Sequence, residues 1–319
     1  MAVRQPRALA LRALGLGDLL AGVPALRAVR RGLPGHRLVL AAPRALEPLV
    51  RLSGAADEVL HTEGLAPLPA TGPVDVAVNL HGRGPESHRL LLDLRPGRLL
   101  GFAHPDVPEA IGPDWEPEEH EVRRWCRLAS WHGWHADPDD LDLAPPPRES
   151  PAPGAVVVHP GAASPARRWP TERFAAVAAA LRADGHRVVV TGGPGEAALA
   201  RRVAELAGLP AGADLSGRTD LLDLAALVAG ARLVVCGDTG TGHLATAYRT
   251  PSVLLFGPTP PAWWGPPDRP RHTVLWAGRR GDPHGGVPDP GLLEITAAAV
   301  TGAAGRLLAD TTIRTEGRT

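Results

Sequence analysis

The stretch Leu143-Ala-Pro-Pro-Pro-Arg-Glu-Ser-Pro-Ala-Pro-Gly154 constrains the fold of this chain more than any other feature. Its prolines fix φ and remove backbone donors, so the segment runs as an extended connection and belongs to no helix. A rhythm of apolar strands and helices precedes it and restarts after it. Before it, residues 8–14 form a strand candidate, and a loop with Gly15 and Gly17 leads into a helix from Asp18 to about Arg31. Residues 36–41 and 74–80 are further strands, and residues 45–52 a second helix. After it, strands are expected at 155–159, 188–191, 233–236 and 252–256. Helices are expected at 171–183, with Thr171 as N-cap, at 196–207, and at 221–229, with Asp220 near the start. Alternation of this kind predicts α/β domains with parallel sheets covered on both faces. The expected division is residues 1–143, a linker 144–154, residues 155–310 and a tail 311–319. Two such halves place a cleft between the carboxyl ends of two sheets.

Composition narrows the class. A chain of 319 residues has room for two domains. Its 34 basic residues balance 34 acidic ones, which gives no electrostatic case for a duplex nucleic-acid partner and leaves a local basic groove as the alternative; no nucleic-acid partner is expected. No lysine occurs, so every fixed cation is arginine. Cys126 and Cys236 are far apart in apolar contexts and make neither a disulfide framework nor a zinc site, which fits a reduced, cytoplasmic setting. Arg4 and Arg7 precede an apolar run, as in a signal peptide, but Arg12 and Asp18 interrupt it. No segment approaches the roughly 18 uncharged apolar residues of a membrane span, so neither export nor spanning is expected.

Four constellations carry chemistry. The first is Asp238-Thr-Gly-Thr-Gly-His243, after the strand at 233–236, with helix formers taking over from Leu244. A strand, a glycine-containing turn and a helix point backbone N–H groups at an anion. Asp238, Thr239, Gly240 and His243 at one mouth suggest a nucleotide-diphosphate site; the alternative is an ordinary turn in which Asp238 caps the helix. The strand at 252–256 ends in a second loop, Gly257-Pro-Thr259, expected beside the first. The second constellation is His159-Pro-Gly-Ala-Ala-Ser-Pro-Ala-Arg-Arg-Trp-Pro170. Gly161 allows close backbone approach, and at least one of Arg167 and Arg168 is read as a phosphate ligand. The alternative leaves both arginines solvated, and Trp169 is read as core packing. The third is Thr191-Gly-Gly-Pro-Gly-Glu196, where Glu196 either accepts ribose hydroxyls or serves the first turn of its helix. The fourth is Leu14-Gly-Leu-Gly-Asp18. It imitates a dinucleotide fingerprint, but the second strand ends Ala41-Ala-Pro-Arg44 without the acid that holds ribose, which weakens a reading as an NAD-dependent oxidoreductase. Asp18 suits a general base, or a helix N-cap. Between the halves, Val122, Trp125, Leu128 and Ala129 recur at helical spacing as an amphipathic core helix, and His120, His132 and His135 are read as surface or capping residues, not metal ligands.

As an ordered set these residues resemble the heptosyltransferase family, glycosyltransferase family nine. The resemblance rests on Gly17-Asp18 with Pro24-Ala-Leu26, Asp75 to His81, His159-Pro-Gly161, Arg168-Trp-Pro170 and Gly192-Gly-Pro with Glu196. Leu215-Ser-Gly-Arg-Thr219, Asp238-Thr-Gly240 with His243 and Phe256-Gly-Pro-Thr259 complete it. It implies a GT-B-type fold of two Rossmann-like domains facing across a cleft. It implies an inverting transferase that moves a sugar, typically heptose, from an ADP-linked donor to a hydroxyl of a glycan or glycoside, without metal or cofactor. Asp18 would be the catalytic base. Arg167, Arg168, Glu196, Asp238, Thr239, Gly240 and His243 would bind the donor. The partners would be the nucleotide-sugar donor and the acceptor, with peripheral association at the inner membrane face compatible with such an acceptor. Three departures stand out. Arg167 replaces a lysine, Thr241-Gly242 replaces an apolar pair and is expected to widen the turn, and residues 279–286 with His284 replace a cysteine-bearing loop. A non-catalytic nucleotide-sugar-binding protein and a sugar-nucleotide epimerase remain as alternatives.

Overall fold

Buried, uninterrupted apolar strands build one parallel sheet in each half of the chain. The computed structural model describes residues 4–69 and 72–310; the anticipated tail at 311–319 lies outside the described residues. The chain divides into two compact units, 1–144 and 145–319.

The first unit runs β1 (Arg7–Leu11), α1 (Leu16–Gly32), β2 (Arg37–Ala42), α2 (Glu47–Ser53), β3 (Glu58–His61), β4 (Val76–Asn79), α3 (Glu86–Leu92), β5 (Arg98–Leu100), β6 (Ala110–Ile111) and α4 (Glu121–Trp131). All its strand pairs are parallel, in the order β3-β2-β1-β4-β5-β6. That is the doubly wound order, and it reverses direction between β1 and β4, the point where such sheets place ligands. Leu9, Leu11, Leu38 and Leu40 have essentially no exposure because helices cover both faces of the central strands.

The second unit runs β7 (Val156–His159), α5 (Thr171–Ala183), β8 (Val188–Val190), α6 (Ala197–Leu206), α7 (Leu221–Ala229), β9 (Leu233–Gly237), α8 (Gly240–Ala247), β10 (Ser252–Phe256), α9 (Pro261–Trp264), β11 (His272–Trp276), α10 (Pro290–Glu294) and α11 (Ala297–Ala309). The order is β11-β10-β9-β7-β8, and a lone parallel bridge, Val190 to Asp214, continues it beyond β8. Counting that bridge as a vestigial strand, both sheets share one topology, and this one reverses between β7 and β9.

Strands and helices both depart from expectation; the helices α3, α9, α10 and α11 lie outside the expected ones. β1 stops at Leu11: the Arg12 N–H makes a last bond to the Ala41 carbonyl, and the Ala13 N–H turns to His81 Nδ1 instead of a neighbouring strand. Thr171 is not the N-cap of α5; Pro170 precedes the helix with extended geometry and no side-chain cap, and Thr171 is already helical. The strands β3, β5, β6 and β11 were not anticipated. β3 and β11 flank their sheets, β5 and β6 are very short, and neither length nor alternation marks them in sequence. The predicted core helix is α4, with Val122, Trp125, Leu128 and Ala129 buried, His120 as its N-cap and His132 as its C-cap.

Three histidines tie stability to pH. Burial, assisted by Arg12 at His81, by His104 at His88 and by Arg271 at His272, lowers each of them from 6.5 to about 4. The folded chain therefore binds fewer protons than the unfolded chain between about pH 6.5 and 4. Their contribution is complete above 6.5 and is lost as pH falls through that window. The urea midpoint is expected to be lower at pH 5 than at pH 7; equal midpoints would contradict the burial of neutral imidazoles.

Candidate active site

In the first unit the loop after β1 delivers an acid to the switch point. Gly15 is the N-cap of α1 and Asp18 its third residue, whose Oδ2 accepts the Gly15 N–H at 3.1 Å, one arm of a capping box. Asp18 is therefore not the N-cap. Burial holds its carboxyl above the ordinary value of 3.8, and nearby Glu121 adds to this, against the opposing pull of Arg12 and of the backbone N–H groups. A carboxylate deprived of water in this way is a stronger base than an exposed one. His81, from the loop after β4, accepts the Ala13 N–H at 3.3 Å through Nδ1 and is neutral near pH 7.

In the second unit four strand ends contribute. His159 ends β7, and its Nδ1 lies 3.2 Å from the Thr191 carbonyl at the end of β8, so Nδ1 carries the proton. Burial lowers its pKa while Glu196 opposes that. The Glu196 carboxylate accepts the Gly193 N–H at 2.8 Å and rests on Gly161, where an added Cβ would meet Oε1 at 2.0 Å. Only glycine fits at 161 with Glu196 so placed. Arg167 closes a 3-10 turn (Pro165–Arg167) and approaches Asp238, Nη1 to Oδ2 3.7 Å. Arg168 is anchored through Nε to the Ala162 carbonyl at 3.0 Å.

The Asp238–His243 segment differs from its expected form. The helix begins at Gly240, not Leu244, and its N-cap is Thr239, so Asp238 does not cap it. Thr241 and Gly242 lie buried inside the first turn and do not widen it. Gly242 permits the fit, since a Cβ there would lie 3.0 Å from Leu254 of β10. The leading N–H groups of α8 have no carbonyl one turn back, which leaves a partial positive charge beside the Arg167 guanidinium. The Thr239 hydroxyl sits against the Cys236 thiol, which burial raises to about 12. The His243 ring meets Trp264 edge-on, centroids 6.0 Å apart, over a cavity with room for about one water, lined by Gly237, Thr239, Gly242, His243 and Thr246. β9 and β10 are hydrogen-bonded neighbours, so the Gly257–Thr259 loop does lie beside this one. Among the described residues no group of three or more His, Cys, Asp and Glu is placed to hold a metal ion.

Residues 114–285 match the model of glycosyltransferase family 9 (heptosyltransferase), more than half of the chain. The chain belongs to glycosyltransferase family 9. It is 35% identical over 113 residues to lipopolysaccharide heptosyltransferase 3 of Escherichia coli, a stretch that covers 35% of this chain and 33% of that protein. The match thus spans about a third of the length of that relative. The fold superposes on the glycosyl transferase family 9 structure from Veillonella parvula with a TM-score of 0.78 at 21% identity, covering 97% of this chain and 98% of that one. It also superposes on an E. coli heptosyltransferase solved with ADP-2-deoxy-2-fluoro heptose, TM-score 0.70 at 20% identity, covering 94% and 99% of the two chains. These likenesses establish the two parallel-sheet α/β domains of the GT-B-type fold.

Within this family 9 chain, the structure pairs Arg167 with Asp238 and seats Glu196 against Gly161 and His159. Sequence reading missed Arg12, His81 and Trp264 as neighbours of these residues. Residues 279–286 carry no local signal of where they pack. Ser164 Oγ donates to the Pro283 carbonyl, Ala166 N–H to Gly285 at 3.1 Å and Gly281 N–H to Pro258 at 3.1 Å. That segment is a brace beneath the Arg167 turn.

Proposed function

We propose that the protein is an inverting glycosyltransferase that takes a sugar, heptose, from an ADP-linked donor and places it on a hydroxyl of a glycan or glycoside. Residues 155–310 would hold the donor, residues 1–143 the acceptor. The observation that carries the reading is the charge arrangement at the end of β9. The N-terminus of α8, Thr239, Gly240 and the Arg167 guanidinium present positive potential where a diphosphate leaving group needs it. Arg168 adds a second fixed cation, and His243 a donor at the same helix start. Glu196, its carboxylate held by the Gly193 N–H, suits two ribose hydroxyls, and Asp238 suits hydroxyls of the transferred sugar.

The step is a single displacement. Asp18 takes the proton of the acceptor hydroxyl as the oxygen attacks the anomeric carbon, and the bond to the diphosphate breaks on the opposite face, which inverts the configuration. The growing charge on the diphosphate falls to Arg167, Arg168 and the α8 amides. A glycan acceptor built at the inner membrane face would bring the protein there as a peripheral visitor; no helix among the described residues is long and apolar enough to cross a membrane. The work would be done in the cytoplasm, where nucleotide sugars are available.

A thermal-shift screen of nucleotide sugars tests the donor. A ligand bound only by the folded state at 100 times its Kd adds about 2.7 kcal/mol. ADP-sugars are expected to raise Tm most, UDP- and GDP-sugars little. A larger shift with another base, or none with any, would refute the donor assignment.

A further inference from the structure

Arg12 has no solvent exposure, although nothing in its position at the end of β1 requires a charge for packing. Each of its three guanidinium nitrogens donates a hydrogen bond to a different segment. Nε donates to the Asp18 carbonyl, Nη1 to the Leu80 carbonyl, and Nη2 to Glu121 Oε1 at 3.1 Å. One side chain thereby joins the first turn of α1, the segment after β4 and the start of α4. Glu121 is itself held. It accepts Trp125 Nε1–H at 2.6 Å and pairs with Arg124, which bonds the carbonyls of Glu116, Pro117 and Glu119. The Arg12 guanidinium lies 4.9 Å from the centre of the Trp125 ring. On its other side, a Cβ at Gly22 would come 2.6 Å from Nε, so α1 keeps a glycine in mid-helix to admit this cation.

A buried ion pair is weak as a source of stability, because desolvation consumes most of its Coulomb energy. Its use here is directional. We propose that Arg12, anchored by Glu121, is the positioning residue of Asp18, fixing the turn that carries the carboxylate and setting its basicity through the opposed charges of the pair. The proposal rests on the reading of Asp18 as the base. The charged and titratable groups around Asp18 are Arg12 from the end of β1, Glu121 from α4 with Arg124 beyond it, and neutral His81 after β4. The Gly15 N–H completes the shell.

The test is a carbon-13 carboxyl NMR titration of Asp18 in the full chain, with steady-state kinetics beside it. Glu121→Gln removes a negative charge and is expected to move the Asp18 midpoint down. Arg12→Met removes the positive charge and is expected to move it up. A structural role alone would not give opposite signs. Arg12→Lys keeps the charge but replaces a fork by a point. Its midpoint should stay near that of the unchanged protein, while kcat falls on the order of 10²-fold with donor KM unaltered. Shifts of the same sign in Glu121→Gln and Arg12→Met, or full kcat in Arg12→Lys, would overturn the proposal. If Arg12→Met does not fold, the other two variants decide it: an unmoved or raised midpoint in Glu121→Gln is equally fatal. Retained turnover in Asp18→Asn would remove the base reading, whereas the NMR midpoints would still report whether Arg12 and Glu121 hold that carboxylate.

Discussion

Asp18→Asn is expected to slow sugar transfer by about 10²- to 10⁴-fold, the usual worth of a general base. The amide oxygen can still accept the Gly15 N–H, so α1 keeps its N-terminal bond and the loss is chemical. Donor affinity should be unchanged, because Glu196, Asp238, Arg167 and α8 all belong to the other half of the chain. The pH dependence has a definite sign. Asp18 acts as a base only when ionised, and burial raises its pKa, so the acid limb of kcat lies at higher pH than an ordinary aspartate would place it. A raised folded-state pKa also means that the stability linked to Asp18 is complete below its unfolded value and is lost as pH rises through its folded value. At pH 7 the asparagine variant should therefore be at least as stable as the unchanged protein. Turnover measured with donor and acceptor, calorimetric donor binding and a melting curve together check this. Undiminished turnover would remove Asp18 from the mechanism.

Trp169→Ala is expected to cost about 3–5 kcal/mol, the range for emptying a large aromatic site in a core. Trp169 is 2% exposed, packs edge-on against Phe174 with ring centroids 4.9 Å apart, and donates Nε1–H to the Ile295 carbonyl at 3.0 Å. It therefore pins the end of the Arg167–Arg168 turn to α5 and to the chain leading into α11. The same variant should weaken donor binding, since the turn loses its anchor. Trp169→Phe, which keeps most of the volume and gives up one hydrogen bond, should cost less, about 0.5–1.5 kcal/mol for that bond with a small addition for the smaller ring, because Arg173 Nη1 still donates to the Ile295 carbonyl at 2.8 Å. Urea unfolding of both variants is the measurement. A loss below 1 kcal/mol for Trp169→Ala would show that the site collapses around the gap.

Much of the site is legible because its parts are local. A strand followed by glycine and a helix start is written in a few adjacent residues, and the anion-binding property belongs to the backbone. Hence Asp238 to His243, Glu196 behind its three glycines, and Asp18 behind Gly15 and Gly17 stand out. The errors are local too. Gly240 and Gly242 look like loop residues, yet they are helical because α8 packs closely on Leu254 of β10, a contact that glycine permits. Propensity was overruled by packing.

What the sequence by itself determined is the alternation of strands and helices, the proline-rich break between its two runs, and the acids and cations set at strand ends, for these depend on neighbours within a few residues. What only the tertiary structure decided is which of those groups meet. Arg167 reaches Asp238, Arg12 reaches Glu121, Glu196 leans on Gly161, and residues 279–286 brace the Arg167 turn. Each of these joins residues far apart in the chain, with no periodicity to announce it. Their pairing is set by strand order and by the burial that strips water from the charges, and neither is present until the sheets have formed.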